Sequence, residues 1–174
     1  MVSEALALVM ILASAPQAPE YQVKAHFLYN LSTTTAFTWP EGAFRDKKDP
    51  FVLGIVGSDP FGEEIEAACK DRTAQDRPIV VRRYRTPTDI KGCHLLFIPR
   101  TEKENVAKIL EAVKGKPTLT VGEMEGFPAS GGAVNFYLEG AKVRFEINPK
   151  AIERAGLNVR AKFLELGRIF QEGR

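Results

Sequence analysis

Hydrophobic and polar positions change their period along this chain. Between Tyr21 and about Thr35 the apolar residues Val23, Phe27, Leu28 and Leu31 recur at helical spacing, which predicts one amphipathic helix. The pattern weakens through Ser32–Thr35, where β-branched threonines lose rotamer freedom in a helix, and Trp39-Pro40 closes the unit. Glu41 to Pro50 is polar and charged and reads as a surface loop.

From Phe51 the pattern alternates between short apolar runs and helical segments. Phe51–Val56 (FVLGIV) reads as a buried strand, and a Gly-Ser-Asp-Pro turn follows it. A helix is expected over Phe61–Lys70, with Glu63 and Glu64 in the first turn, where the helix dipole favours acidic groups. Further strands are predicted at Ile79–Tyr84, His94–Ile98 and Thr118–Val121, with a turn at Pro87–Ile90. Glu102–Lys114 reads as a helix whose apolar face carries Val106, Ile109, Leu110 and Val113. Strands separated by helices imply right-handed crossovers and a parallel sheet. In the last third, Ala133–Leu138 and Lys142–Ile147 alternate at period two around Glu139-Gly140-Ala141, which predicts a hairpin. A short helix over Pro149–Ala155 starts at its proline and stops at Gly156. A final helix is expected over Val159–Gln171, with Phe163, Leu164, Leu166 and Ile169 as its stripe. The fold class is therefore α/β: a mixed sheet, mostly parallel, with a C-terminal antiparallel hairpin and helices on both faces.

Length and charge narrow the picture further. With 174 residues, 44% of them hydrophobic and 26% charged, the chain has the make-up of one ordinary domain, expected over residues 20–174. A net charge of +2 gives no reason to propose nucleic acid as a partner. At the N-terminus the apolar run Ala5–Ala13 is followed by Ala13-Ser14-Ala15, a small-x-small pattern, so residues 1–15 read as a cleaved signal peptide. Glu4, in place of a basic residue, departs from the usual pattern, and an N-terminal helix is the other reading. The run is shorter than the roughly 20 residues that span a bilayer, so direct membrane insertion is not expected. The two cysteines, Cys69 and Cys93, suit a disulfide in an oxidising compartment and free core thiols in a reducing one.

Little in the sequence carries catalysis. The loop GSDPFG lacks the Gly-Lys-Ser/Thr ending of a phosphate-binding loop and is no dinucleotide fingerprint. Asp59 reads most simply as a helix cap with Pro60 in the first helical position. His26 and His94 have no ligand at metal-binding spacing, and Cys93 and His94 are neighbours that a strand would point to opposite faces. No metal, no cofactor and no enzyme activity is expected. Four residues fall at the expected C-terminal ends of strands, where open α/β sheets bind ligands: Ser58, Asp59, Arg100 and Glu123. Arg100 among them suits a carboxylate or phosphate. The helix residues His26, Tyr29 and Asn30, with Trp39, form a candidate partner surface, because Trp and Tyr favour interfaces. The alternative for Trp39 is a plug at one end of the core.

Taken in order, VKAHFLYNL…WP, FVLGIVGSDPFG, RPIVVRR, GCHLLFI, LTVGE, GGAVNF and KVRFEIN resemble the YfiR family, over about Tyr21 to Phe170. The resemblance implies a periplasmic α/β protein, often a homodimer, without enzyme activity. It implies a partner, the periplasmic part of an inner-membrane diguanylate cyclase, which the protein holds inactive, so that release raises cyclic di-GMP and promotes biofilm formation. Many relatives carry a cysteine where Gly54 stands, paired with the cysteine of GCH, here Cys93. With that partner absent, Cys69 is expected to take its place, since the helix after the first strand returns its C-terminal end toward the same sheet edge. A Cys69–Cys93 disulfide would close a loop of about 25 residues and contribute on the order of 3 kcal/mol. The other functional expectation is a periplasmic small-ligand sensor or solute-binding module using the strand-end residues.

Overall fold

The computed structural model describes residues 18–173, and the expected signal peptide lies outside them. A first helix, α1 (Ala18–Ser32), leads into the two-residue strand β1 (Phe37–Thr38). The alternating part of the chain then gives β2 (Phe51–Val56), α2 (Glu64–Cys69), β3 (Thr73–Ala74), β4 (Arg77–Tyr84), β5 (Leu95–Ile98), α3 (Val106–Val113) and β6 (Leu119–Gly122). The last third gives β7 (Val134–Glu139), β8 (Lys142–Ile147), α4 (Pro149–Arg154), β9 (Asn158–Val159), α5 (Ala161–Leu164) and β10 (Arg168–Ile169).

Eight strands make one sheet in the order β10-β8-β7-β6-β5-β2-β4-β3, and β1 and β9 pair in a second, antiparallel one. Strands β4, β2, β5, β6 and β7 run parallel, β8 returns antiparallel to β7, and β10 lies parallel to β8. The mixed, mostly parallel sheet with its C-terminal hairpin is thus present.

Alternation along the buried strands divides the core into two layers. Phe51, Leu53 and Ile55 of β2 and Leu95 and Phe97 of β5 face one way, against Leu28 and Leu31 of α1 and Ile65 and Ala68 of α2. Leu96 and Ile98 of β5 face the other way, against Val106, Ile109 and Val113 of α3. All six residues of β2 are buried, as expected of a strand covered on both faces.

The helix expected over Glu102–Lys114 is an α-helix only from Val106 to Val113, after a 3-10 helix over Arg100–Asn105, and two further elements differ from the sequence pattern. The segment Val159–Gln171 is not one helix: only Ala161–Leu164 is helical, flanked by β9 and β10. Tertiary pairing overrides its helical spacing, because Val159 pairs with Phe37 of β1 and Ile169 with Ile147 of β8. Gly167 permits the second pairing, since a Cβ there would lie 2.5 Å from the Ile147 side chain. The other difference is α2, which begins at Glu64 rather than Phe61. Asp59 accepts a hydrogen bond from the Phe61 N–H at 2.7 Å, so it closes the turn before the helix instead of capping it.

Candidate functional site

Strand order creates one crevice in the sheet. The chain leaves β2, passes through α2 to β4 on one side, then crosses to β5 on the other side of β2. Loops after β2 and β5 therefore diverge to opposite faces, the arrangement at which open α/β sheets leave a binding crevice. Gly57 starts the first loop with φ +76°, a backbone conformation that a side chain would strain. A cleft of about 240 Å³ lies here, and Ser58, Asp59, Arg100 and Glu123 all line it, together with Tyr21. All four residues picked from the sequence as strand-end candidates are brought together.

Their chemistry is already partly engaged. Asp59 accepts from the Arg83 guanidinium at 2.7 Å as well as from Phe61. Glu123 is almost fully buried and accepts four hydrogen bonds: from Lys24 Nζ (2.7 Å), the Tyr21 hydroxyl (3.2 Å), the Arg100 backbone N–H (3.1 Å) and Arg100 Nη2 (3.4 Å). Lys24, 1% exposed, also pairs with Glu20, and Arg100 Nη2 reaches Glu20 at 2.9 Å. Two carboxylates and two cations thus neutralise one another beneath the crevice, which is how buried charges are tolerated. Burial, and then the negative Glu123, push the Tyr21 hydroxyl up to about 12. Glu20 is held below the ordinary carboxylate range: burial works against this, but Lys24 and Arg100 outweigh it.

Lys24 and Glu20 were not among the residues read from the sequence as functional. The available signal was position: Lys24 lies four residues after Glu20 and four before Leu28, on the helix face that also carries Tyr21.

The candidate partner surface divides. His26 and Asn30 are exposed on α1, and Tyr29 is half-buried beneath the Arg72 guanidinium at 4.8 Å. Trp39 is not on that surface. It is buried, packs its ring edge-on to Phe51 at 4.9 Å, and shares its indole N–H between the His94 and Pro117 carbonyls at 3.2 and 3.0 Å. The reason is local: β1 pairs with β9 and carries Trp39 into the end of the core. Apolar surface lies beside α1 instead. A groove of about 630 Å³ between α1 and the β7–β8 hairpin is lined by Val23, Phe27, Leu138 and Val143, and Phe27 also lines an adjoining groove of about 380 Å³ with Phe145, Phe163 and Leu166. Val23 and Leu138 in the first groove are 42% and 45% exposed, and Leu166 in the second is 65% exposed.

No group of three His, Cys, Asp or Glu side chains among the described residues could hold a metal ion, and no helix among them is long and apolar enough to cross a membrane. A model of YfiR/HmsC-like proteins matches residues 21–168. The chain belongs to the YfiR/HmsC-like family. That family is one of periplasmic regulators of diguanylate cyclases, regulatory rather than catalytic. No curated protein matches the chain. Among solved structures, the crystal structure of a conserved domain protein from Vibrio cholerae O1 biovar El Tor aligns with a TM-score of 0.51 at 10% identity, covering 69% of this chain and 54% of that one. That likeness is one of fold.

Family membership directs attention to Gly54 and the cysteines. Both cysteines of this YfiR-like chain are free thiols, so the expected Cys69–Cys93 disulfide is not formed. The sheet separates them: Cys69 packs with α1 and α2 on one face, and Cys93 with Tyr84, Leu96 and α3 on the other. The helix does return toward the expected edge, but on the wrong face. Gly54 lies against Cys93, since a Cβ on it would sit 2.6 Å from Cys93 Sγ and 2.7 Å from the Tyr84 ring. Burial pushes the Cys93 thiol up to about 12 and the Cys69 thiol up to about 11, which leaves both inert as nucleophiles.

Proposed function

We propose that this YfiR-like chain is a periplasmic protein that binds the periplasmic part of an inner-membrane diguanylate cyclase and holds the enzyme inactive. The family supports the role, and the two grooves that meet at Phe27 support the mode of binding. Val23, Leu138 and Leu166 would receive apolar side chains of the partner, with His26 and Asn30 at the rim. Residues 1–15 would be removed on export, and two copies would associate. Co-purification with a membrane diguanylate cyclase of the same organism tests the reading. Val23→Glu combined with Leu138→Glu should abolish capture and raise cyclic di-GMP in cells. Unchanged capture by a folded double variant refutes the groove, and failure of the unaltered protein to bind refutes the partner.

The crevice at the ends of β2 and β5 supports a second reading, that of a small-ligand sensor. The observation favouring it is the convergence of Ser58, Asp59, Arg100 and Glu123 on one cleft. A small carboxylate or phosphate compound would meet the exposed side of the Arg100 guanidinium. A panel of such compounds should raise the melting temperature of the protein but not of Arg100→Ala. A panel that moves neither removes the reading.

A further inference from the structure

The outer edge of β4 is open. Strand β3 pairs only with Arg77 and Pro78, through a tight turn in which Gln75 and Asp76 both have positive φ. Beyond Pro78, no strand among the described residues pairs with the outer side of Ile79–Tyr84, while β2 pairs with the inner side along that whole length. The Tyr84 carbonyl accepts from the Gly57 N–H, so Tyr84 points its backbone groups inward. Backbone groups alternate along a strand, and those of Ile79, Val81 and Arg83 therefore point outward, a row of groups without protein partners.

The surroundings of this edge fit a particular kind of strand. Beside it runs a cleft of about 520 Å³ between α2 and β4, lined by Cys69, Pro78, Ile79 and Val81 and also by the acidic residues Glu66, which is paired with Arg83, and Asp71. On the opposite face Val80 is 37% exposed. Lys70, Arg72, Arg82 and Arg85 are exposed around the edge, and among the described residues none of them has an ion-pair partner. Arg83, by contrast, is held by Asp59 and Glu66. Charged side chains on an edge strand also prevent unspecific pairing. Here they discriminate: a second copy of β4 would bring arginines against arginines, whereas an acidic strand would be attracted.

We propose that the open edge of β4 is a docking site for an extended segment of a partner protein with alternating acidic and apolar residues. The segment adds as a ninth strand, donating to and accepting from the outward backbone groups of Ile79, Val81 and Arg83. Its apolar side chains enter the cleft beside α2, and its acidic ones meet Arg82 and Arg85. Main-chain bonds supply affinity and the alternating side chains supply selectivity. This surface is separate from the α1 grooves, so it stands or falls independently of the proposed cyclase contact.

The test uses the full chain with an end-blocked synthetic peptide of alternating glutamate and valine, and a lysine–valine peptide of the same length as control. Amide hydrogen exchange followed by NMR should show new protection at Ile79, Val81 and Arg83, with the acidic peptide binding at least about tenfold more tightly than the basic one. Arg82→Glu should erase that preference. Val81→Pro removes an outward N–H and no bond to β2, so a folded variant should lose peptide binding. Equal binding of the two peptides, protection at the α1 grooves instead, no protection at millimolar peptide, or edge amides already protected in the free protein by a second copy would each overturn the proposal.

Discussion

Lys24 Nζ lies 2.7 Å from Glu123 Oε2, with both side chains 1% exposed. The lysine comes from the first turns of α1 and the glutamate from the end of β6, so this pair fastens the N-terminal helix to the strand ends beside the crevice. Water cannot stabilise either charge alone at this depth. Removing Lys24 leaves Glu123 only the longer ionic contact to Arg100, and removing Glu123 leaves Lys24 only Glu20. Breaking a buried pair costs up to about 3–5 kcal/mol.

Lys24→Met should therefore lower stability by up to that amount, read from the midpoint of urea denaturation at unchanged slope. Glu123→Gln should be milder, because the amide oxygen still accepts from Tyr21 or the Arg100 N–H. The combined variant should fall well short of the sum of the two single effects, as coupled neighbours do. Additive losses would show that the pair is not coupled.

His94 makes stability depend on pH. Its Nδ1 lies 3.0 Å from the Val52 N–H, and its Nε2 lies 2.9 Å from the Ala43 carbonyl. These partners assign a neutral ring, with Nδ1 accepting and Nε2 donating. Burial holds its pKa below the ordinary 6.5, against the raising effect of the bond to Ala43. The unfolded chain binds the proton first as pH falls, so His94 contributes full stability above about 6.5 and loses it through the folded value beneath. Melting temperature should fall between pH 7 and pH 5, and His94→Asn, which still accepts from Val52, should flatten that slope. An unchanged slope in the variant would assign the effect to other groups.

Much of this architecture could be read from period alone. Lys142–Ile147 alternates and is a strand at those bounds, and the apolar run Phe51–Val56 is the buried centre of the sheet. Ser58, Asp59, Arg100 and Glu123 were findable because strand ends share an edge whatever the details of packing. Segments whose form depends on distant partners were not. The segment Val159–Gln171 carries a helical apolar stripe, and its ends become β9 and β10 only because Phe37 and Ile147 offer them edges. Trp39 looks like an interface residue by type, and its burial follows from two carbonyls far away in sequence. Lys24 reads as solvent-facing by type, and only Glu123, from another element, explains its depth.

Gly54 is required by close packing, since its backbone needs no positive φ. A methyl group there would meet both Cys93 Sγ and the Tyr84 ring. Gly54→Ala should cost about 1–3 kcal/mol, the usual range for overpacking a filled core. Cys93→Ala opens space at that point, so the double variant should recover part of the loss. If Gly54→Ala is as stable as the unaltered protein, the layer between β2 and α3 has more room than these distances allow.

The thiols provide the last test, which bears on the Cys69–Cys93 disulfide expected from the sequence. Cys69 and Cys93 lie on opposite faces of the sheet and are both free. No simple rotation of side chains joins them through a packed β-layer, and a disulfide needs Cα atoms within about 7 Å. Protein purified under oxidising conditions should keep the intact mass of two thiols and the same melting temperature with or without reductant. At neutral pH neither thiol should react with iodoacetamide while the chain is folded, because burial keeps both protonated. In denaturant both should react. A mass lower by two hydrogens, restored by reductant, would mean that Cys69 and Cys93 reach one another and that α2 or the start of β5 takes a second arrangement.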